Sequence, residues 1–210
     1  MVLISRKKLV LLFSLVAFAT LVGAFALNAV VLRHPTNAAA ASPNGGVFTF
    51  NLVASPGIKA ACLPHARGQV EITRLAVNQR MEVEVEGLVP NTGYALFVIE
   101  VPNKPFGISW YQSDMETNAQ GKATVIVQGI FDVETFSLSP GGPTTTFAPT
   151  HQYHLGIWFG DPKTPFKHGC EPGAPSPIVT PFDGDQVAGI QVLNTSNFPN
   201  KAGPLSHVQP

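Results

Sequence analysis

The sequence predicts an all-β domain, an antiparallel β-sandwich, that follows an apolar N-terminal segment. Residues 42–210 contain short runs of β-branched and aromatic residues separated by turn formers, which is the pattern of strands. No stretch of about ten residues or more in that part has apolar side chains at helical spacing. Strands that follow one another without helices between them pair antiparallel, so the pattern excludes a parallel α/β sheet.

The first 41 residues resemble an export signal. Three cations, Arg6, Lys7 and Lys8, precede an uncharged apolar run over residues 9–32. The 24 residues of this run exceed a usual signal core of about 7–15 and match the roughly 20 that cross a bilayer. A cleaved signal peptide and a retained membrane anchor therefore both fit, and the small residues near position 40 favour cleavage. The charge bias places the chain after the run outside the cytoplasm, in the extracellular space or at the cell surface.

The composition of residues 42–210 excludes several classes of protein. Nine cations stand against thirteen acids there, so no basic patch for nucleic acid is predicted. The hydrophobic share of 45% and fourteen phenylalanines are enough to fill a core, which excludes a disordered chain. No linker or internal repeat divides the segment. We therefore predict one domain over residues 42–210.

Eight strands are predicted, separated by turns and by two long loops at 139–150 and 160–184. In the strand 80–87, three apolar residues alternate with Glu82, Glu84 and Glu86, as expected of a half-buried strand. The predicted strands cover residues 47–53, 69–76, 80–87, 94–101, 123–128, 133–138, 153–159 and 187–193.

Two short motifs carry a family resemblance. Residues 87–94, GLVPNTGY, resemble the GL-x-P-x-T-x-Y strand–turn–strand of fibronectin type III and related immunoglobulin-like sandwiches. Residues 116–123, ETNAQGKA, are similar to a turn of secreted bacterial sandwich domains. The resemblance implies an immunoglobulin-like sandwich with Leu88 and Tyr94 in its core. It implies no activity, because such folds host many functions.

The chain has two cysteines, Cys62 and Cys170, and no CxxC motif. Outside the cytoplasm two lone cysteines are best interpreted as one disulfide, although two free buried thiols also fit. A disulfide would bring His65 and His168 near each other, with Asp161 in the same loop as a third metal ligand. The simpler interpretation is two exposed loop histidines without a metal, because zinc sites need three or four fixed ligands.

Other polar groups give weaker signals. His151 and His154 are three residues apart in a predicted strand and so face opposite sides, which disfavours a shared metal. We expect His154 to be hydrogen-bonded within the sheet. Asp183 and Asp185 flank a glycine and indicate a turn rather than a calcium site.

Two aromatic pairs, Trp110–Tyr111 and Trp158–Phe159, offer a binding surface. In a strand one member of each pair faces outward, and an exposed aromatic ring can stack on a sugar or anchor a protein. We take Trp110, Tyr111 and Trp158 as candidate ligand-binding residues, with a role in the core as the alternative.

Residues 42–210 lack a GxSxG elbow, an SxxK motif, a Walker A loop and a dinucleotide fingerprint. We therefore predict an exported, non-enzymatic domain without a cofactor, whose role is binding or structural and whose partner is a protein or a carbohydrate. The membrane is contacted only through residues 9–32, if they are retained. Loops 160–184 and 62–67 are the expected ligand surface. The alternative is a metal-binding protein or metal-dependent enzyme that uses His65, His168 and Asp161, and a matrix component without a discrete ligand also fits.

Overall fold

A computed structural model describes residues 46–132, 137–138, 141–142, 145–146, 153–181 and 187–208. The apolar run, His151 and the turn with Asp183 and Asp185 lie outside these residues. Among the residues that are described, no helix is long and apolar enough to cross a membrane.

The regular secondary structure of the described chain is mainly β-strand. Its strands are β1 (Val47–Ala54), β2 (Arg67–Arg74), β3 (Gln79–Glu86), β4 (Gly93–Ile99), β5 (Ser109–Glu116), β6 (Ala123–Gly129), β7 (Ser137–Leu138), β8 (Thr145–Thr146), β9 (His154–Phe159), β10 (Thr180–Pro181), β11 (Val187–Ala188) and β12 (Gln191–Asn194). Two short helices, α1 (Pro56–Ala61) and α2 (Lys163–Lys167), and a 3-10 turn (Pro204–His207) complete it.

Eight of these strands form one antiparallel sheet in the order β5-β4-β9-β12-β1-β2-β3-β6. β7 pairs with β8, and β10 pairs with β11, in two small separate ribbons. β2 and β3 form a hairpin whose register runs from Arg67 opposite Glu86 to Arg74 opposite Gln79. The predicted all-β antiparallel class is confirmed.

Three features differ from the sequence prediction. β5 was not predicted, because its sequence SWYQSDME is mostly polar and a register shift opposite Leu96 and Phe97 interrupts its alternation. The two helices have five and six residues, too few to show an apolar period. The predicted strand 187–193 is two strands, β11 and β12, and the predicted strand 133–138 is described only at β7.

The sheet packs around one main core. Buried apolar side chains from β1, β2 and β3 belong to the same cluster as those from β4, β9 and β12. Met81, Val83 and Val85 of β3 are buried in it. The glutamates between them point outward, where Arg80 pairs with Glu82 at 2.7 Å and Lys122 pairs with Glu86 at 2.9 Å.

The two motifs that resemble sandwich domains contact each other. The Thr117 hydroxyl donates to the Val89 carbonyl at 2.6 Å, and the Leu88 N–H donates to the Gly121 carbonyl at 3.2 Å. The Tyr94 hydroxyl accepts a hydrogen bond from the Val89 N–H at 3.0 Å. Tyr94 and Leu88 are both buried in the core, as the sequence predicts. Burial raises the pKa of Tyr94, which keeps its hydroxyl neutral.

We expect Tyr94→Phe to lower the free energy of unfolding by about 1–3 kcal/mol, because it leaves the buried Val89 N–H without an acceptor. Urea unfolding measures this change. The control is Tyr111→Phe, which alters an exposed ring and should change stability by no more than about 0.5 kcal/mol. Equal effects of the two substitutions would contradict the structural role of the Tyr94 hydroxyl.

Candidate functional site

The disulfide joins the end of α1 to the loop that follows α2. Cys62 and Cys170 are bonded, with their Cα atoms 4.9 Å apart and a sequence separation of 108. Cys170 is buried and Cys62 packs against the same core. The bond therefore fixes the long loop after β9 to the part of the chain that follows β1.

The three residues of the metal hypothesis are all exposed: His65, His168 and Asp161. The Asp161 carboxylate accepts a hydrogen bond from the Lys163 N–H at 2.9 Å, at the start of α2. In the described part of the chain, no group of three His, Cys, Asp or Glu side chains is placed to hold a metal ion. The disulfide thus positions the two loops but does not assemble a three-ligand site from described residues.

A groove with a cavity volume of about 340 Å³ lies beside the disulfide. Its walls come from α1, the loop between β4 and β5, strands β9 and β12, and the segment around Thr180. The lining residues are Ser55, Gly57, Ile58, Asn103, Lys104, Phe106, Trp158, Cys170, Thr180, Ile190 and Gln191.

A row of aromatic rings runs along the outer face of the sheet to this groove. Tyr111 on β5 packs edge-on against Phe97 on β4, with ring centroids 5.7 Å apart. Phe97 contacts Trp158 on β9 at 5.4 Å, and Trp158 contacts Phe106 at 5.0 Å. Phe97 and Trp158 form a second buried cluster with Ala95, Ile99 and Ala188, and Phe106 packs against it. This cluster covers the outer face of β4 and β9, and Tyr111 lies at its exposed edge.

The candidate aromatic residues have different environments. Tyr111 is 46% exposed and faces outward, as expected of one member of its pair. Trp110 is half-buried and packs edge-on against Tyr153 with centroids 4.8 Å apart. The expectation that one member of the Trp158–Phe159 pair is exposed was wrong. Trp158 is only 3% exposed, because Phe106 and β11 pack beside it on the outer face, and Phe159 lies in the main core.

A polar network includes two residues of the groove lining, Ser55 and Gln191. The fully buried Asn194 donates from Nδ2 to the Pro102 carbonyl at 3.0 Å and to Gln191 Oε1 at 2.8 Å. The Ser55 hydroxyl also donates to Gln191 Oε1, at 3.2 Å. A carbonyl oxygen only accepts, so Pro102 fixes the orientation of the Asn194 amide, and Asn194 in turn fixes that of Gln191. Gln191 Nε2 is buried and has no hydrogen-bond partner among the described residues.

The same network makes a potential N-glycosylation site inaccessible in the folded domain. Asn194, Thr195 and Ser196 have the sequence pattern of an N-glycosylation acceptor. Because Asn194 is fully buried and its Nδ2 is hydrogen-bonded, the folded domain does not present it to an enzyme.

His154 is buried in the sheet and lies outside the groove lining. Its Nε2 is 3.3 Å from the Asn200 carbonyl and its Nδ1 is 2.9 Å from the Thr195 hydroxyl. Since the carbonyl only accepts, Nε2 carries the proton and Nδ1 accepts from Thr195. Burial lowers the pKa of His154, so the neutral ring is the form that the fold stabilises.

This lowered pKa makes stability depend on pH. The unfolded chain binds a proton at His154 near its ordinary pKa of about 6.5, before the folded chain does. The free energy of unfolding should thus be maximal above that value and decrease as the pH falls from there through the lower folded-state pKa. Urea unfolding at a series of pH values tests this. The exposed His168→Gln control should keep the decrease, and His154→Gln should remove it; an unchanged profile in His154→Gln would contradict the assignment.

The groove residues Phe106, Asn103, Lys104, Ser55 and Gln191 were not predicted. The sequence indicates only some of them, since residues 103–107, NKPFG, have the composition of a turn. Ser55 and Gln191 are 136 positions apart, and no local pattern pairs them. No protein-family model matches this chain, and no curated protein matches it as a relative.

Proposed function

We propose that this chain is an exported, non-enzymatic domain that binds a small ligand in the groove beside the Cys62–Cys170 disulfide. The observation that carries the proposal is the groove itself. Its volume of about 340 Å³ falls within the range of ligand sites, which are roughly 300–1,000 Å³. Its lining combines apolar and aromatic side chains with a few oriented polar groups, which is the composition of ligand sites.

The position of the groove in the fold supports a binding role. Loops and short helices that a rigid sheet holds in place are where recognition surfaces are usually found. Of the predicted ligand surface, loop 160–184 contributes Cys170 and Thr180 to the lining, and loop 62–67 contributes none of the lining residues. The remaining lining residues come from α1, residues 103–106 and the neighbouring strands.

Two independent features support export. The N-terminal sequence has the cations and the apolar run of an export signal. A buried disulfide is typical of proteins that fold in an oxidising compartment. We propose the extracellular space or the cell surface as the site of function.

We further propose that the fold is an immunoglobulin-like sandwich. The hydrogen bond from the Val89 N–H to the Tyr94 hydroxyl supports this, because a tyrosine that bonds to the backbone a few residues upstream is a hallmark of such domains. The shared core of strands β1–β3 with β4, β9 and β12 supports this proposal, because the two layers of a sandwich pack on one core.

The test of groove binding uses Gly57, where an added Cβ meets nothing within 4 Å. Gly57→Phe should fill the groove without strain. Gly93→Phe is the matched control, because Gly93 is also open and does not line the groove. Native mass spectrometry of the full-length chain with phenylacetate, phenylacetamide, glucose, N-acetylglucosamine and a tripeptide measures binding.

We expect one of these probes to bind at one copy per chain, and Gly57→Phe but not Gly93→Phe to abolish the complex. Binding should persist in the presence of a chelator and in His65→Ala. Loss of binding on chelation would favour the metal alternative instead. A complex that Gly57→Phe leaves intact would contradict the proposed site.

A further inference from the structure

We infer that the groove takes a small organic acid, with the apolar body of the acid against the aromatic wall and its carboxylate at Lys104 and Asn103. The inference rests on the proposed function, since it names the class of ligand for that same groove. It depends on three observations: which polar atoms the network leaves as donors, which charges line the groove, and how large the apolar wall is.

The first observation concerns the direction of the amide groups. Asn194 Nδ2 bonds Gln191 Oε1 at 2.8 Å and lies 3.4 Å from Asn103 Oδ1. The carbonyl oxygens of both lining amides are therefore turned toward Asn194. The Asn103 NH₂ group belongs to an exposed residue and can donate to a ligand, whereas Gln191 Nε2 is buried. A carboxylate needs only donors of this kind, whereas a sugar hydroxyl both donates and accepts.

The second observation is the charge of the lining. Lys104 is the one charged side chain among the described residues that line the groove, and it is exposed at the rim. It makes no ion pair within the described part of the chain. Lys104 directly follows Asn103, so an ammonium group and an amide NH₂ come from adjacent residues. Charge-assisted hydrogen bonds of this kind are about twice as strong as neutral ones.

The third observation is the apolar part of the groove. Ile58, Phe106, Trp158, Ile190 and Cys170 supply carbon, ring and sulfur surface. The volume of about 340 Å³ is near the lower end of ligand sites, so it suits one aromatic ring or a short acyl chain. An acid with such a body would bury its apolar surface and leave its charge at the wet rim, where desolvation is small.

The test compares phenylacetate with phenylacetamide, which have the same shape and differ in charge. Each is titrated into the full-length chain while the indole N–H signal of Trp158 is followed by NMR, with a Trp110→Phe variant to assign the signal. We expect phenylacetate to bind about three- to tenfold more tightly than the amide, as one exposed charge-assisted contact allows.

Lys104→Gln should remove this preference and leave amide binding unchanged. Lys201→Gln, which makes the same change at an exposed lysine outside the groove, should keep it. Equal affinity for acid and amide, failure of both to bind, or displacement by glucose but not by phenylacetate would overturn the ligand class. In those cases the proposed function would still hold if Gly57→Phe abolished the binding of another probe. If Gly57→Phe abolished the binding of no probe, the ligand class and the proposed function would both be wrong.

Discussion

Replacing both Cys62 and Cys170 with alanine is expected to lower the free energy of unfolding by about 4–5 kcal/mol. This is the largest loss of stability that we predict. The disulfide closes a loop of 108 positions, and a long loop gains the most from closure because the unlinked unfolded chain has more conformations. Urea unfolding of the oxidised protein and of the double variant measures the difference.

Two comparisons separate the covalent link from the loss of sulfur atoms in the core. The wild-type protein unfolded with a reductant should approach the stability of the double variant, since it keeps the sulfur atoms and loses the bond. The double variant should also lose affinity for groove ligands, because Cys170 is part of the wall. A stability decrease below about 1 kcal/mol would mean that the link contributes little beyond local packing.

Gly121→Ala is the single substitution with the largest expected effect, a loss of about 3–4 kcal/mol. Gly121 has φ +69°, where an L-residue is strained, and an added Cβ would overlap the Leu88 carbonyl oxygen. Because both partners are backbone, the two turns must move apart. The move weakens the Leu88–Gly121 and Asn91–Asn118 hydrogen bonds that join them.

Gly169→Ala is a matched control that measures the strain of a left-handed backbone conformation alone. Gly169 has the same φ of +69°, and an added Cβ there meets nothing within 4 Å. It should cost only the strain of a left-handed residue, about 1–2 kcal/mol. Thermal or urea unfolding of both variants gives the difference. Similar losses for the two would show that the contact between the turns does not stabilise the fold.

Local patterns predicted much of the scaffold. The alternation of Met81, Val83 and Val85 with three glutamates located β3, its buried face and its solvent face. Turn residues located the two motifs that contact each other, and Leu88 and Tyr94 are in the core as expected. These features follow from periods of two residues and from turn chemistry, which neighbouring residues determine.

The groove could not be predicted in the same way. Whether Trp158 is exposed depends on Phe106 and β11, which cover the outer face of the sheet from distant parts of the chain. The polar network joins Ser55, Pro102, Gln191 and Asn194 through hydrogen bonds that span up to 136 positions. Single polar residues at such separations carry no periodic signal, so only the tertiary structure brings them together.

The central claim is that an exported, disulfide-linked domain binds an organic ligand in its groove. The most direct test is the intact mass of the protein made by its own host, measured under native conditions and then denatured without reductant. We predict the mass of the disulfide form, and a small organic compound that is lost on denaturation and absent from Gly57→Phe. A stoichiometric metal ion lost on denaturation and retained in Gly57→Phe, or two free thiols, would contradict the claim.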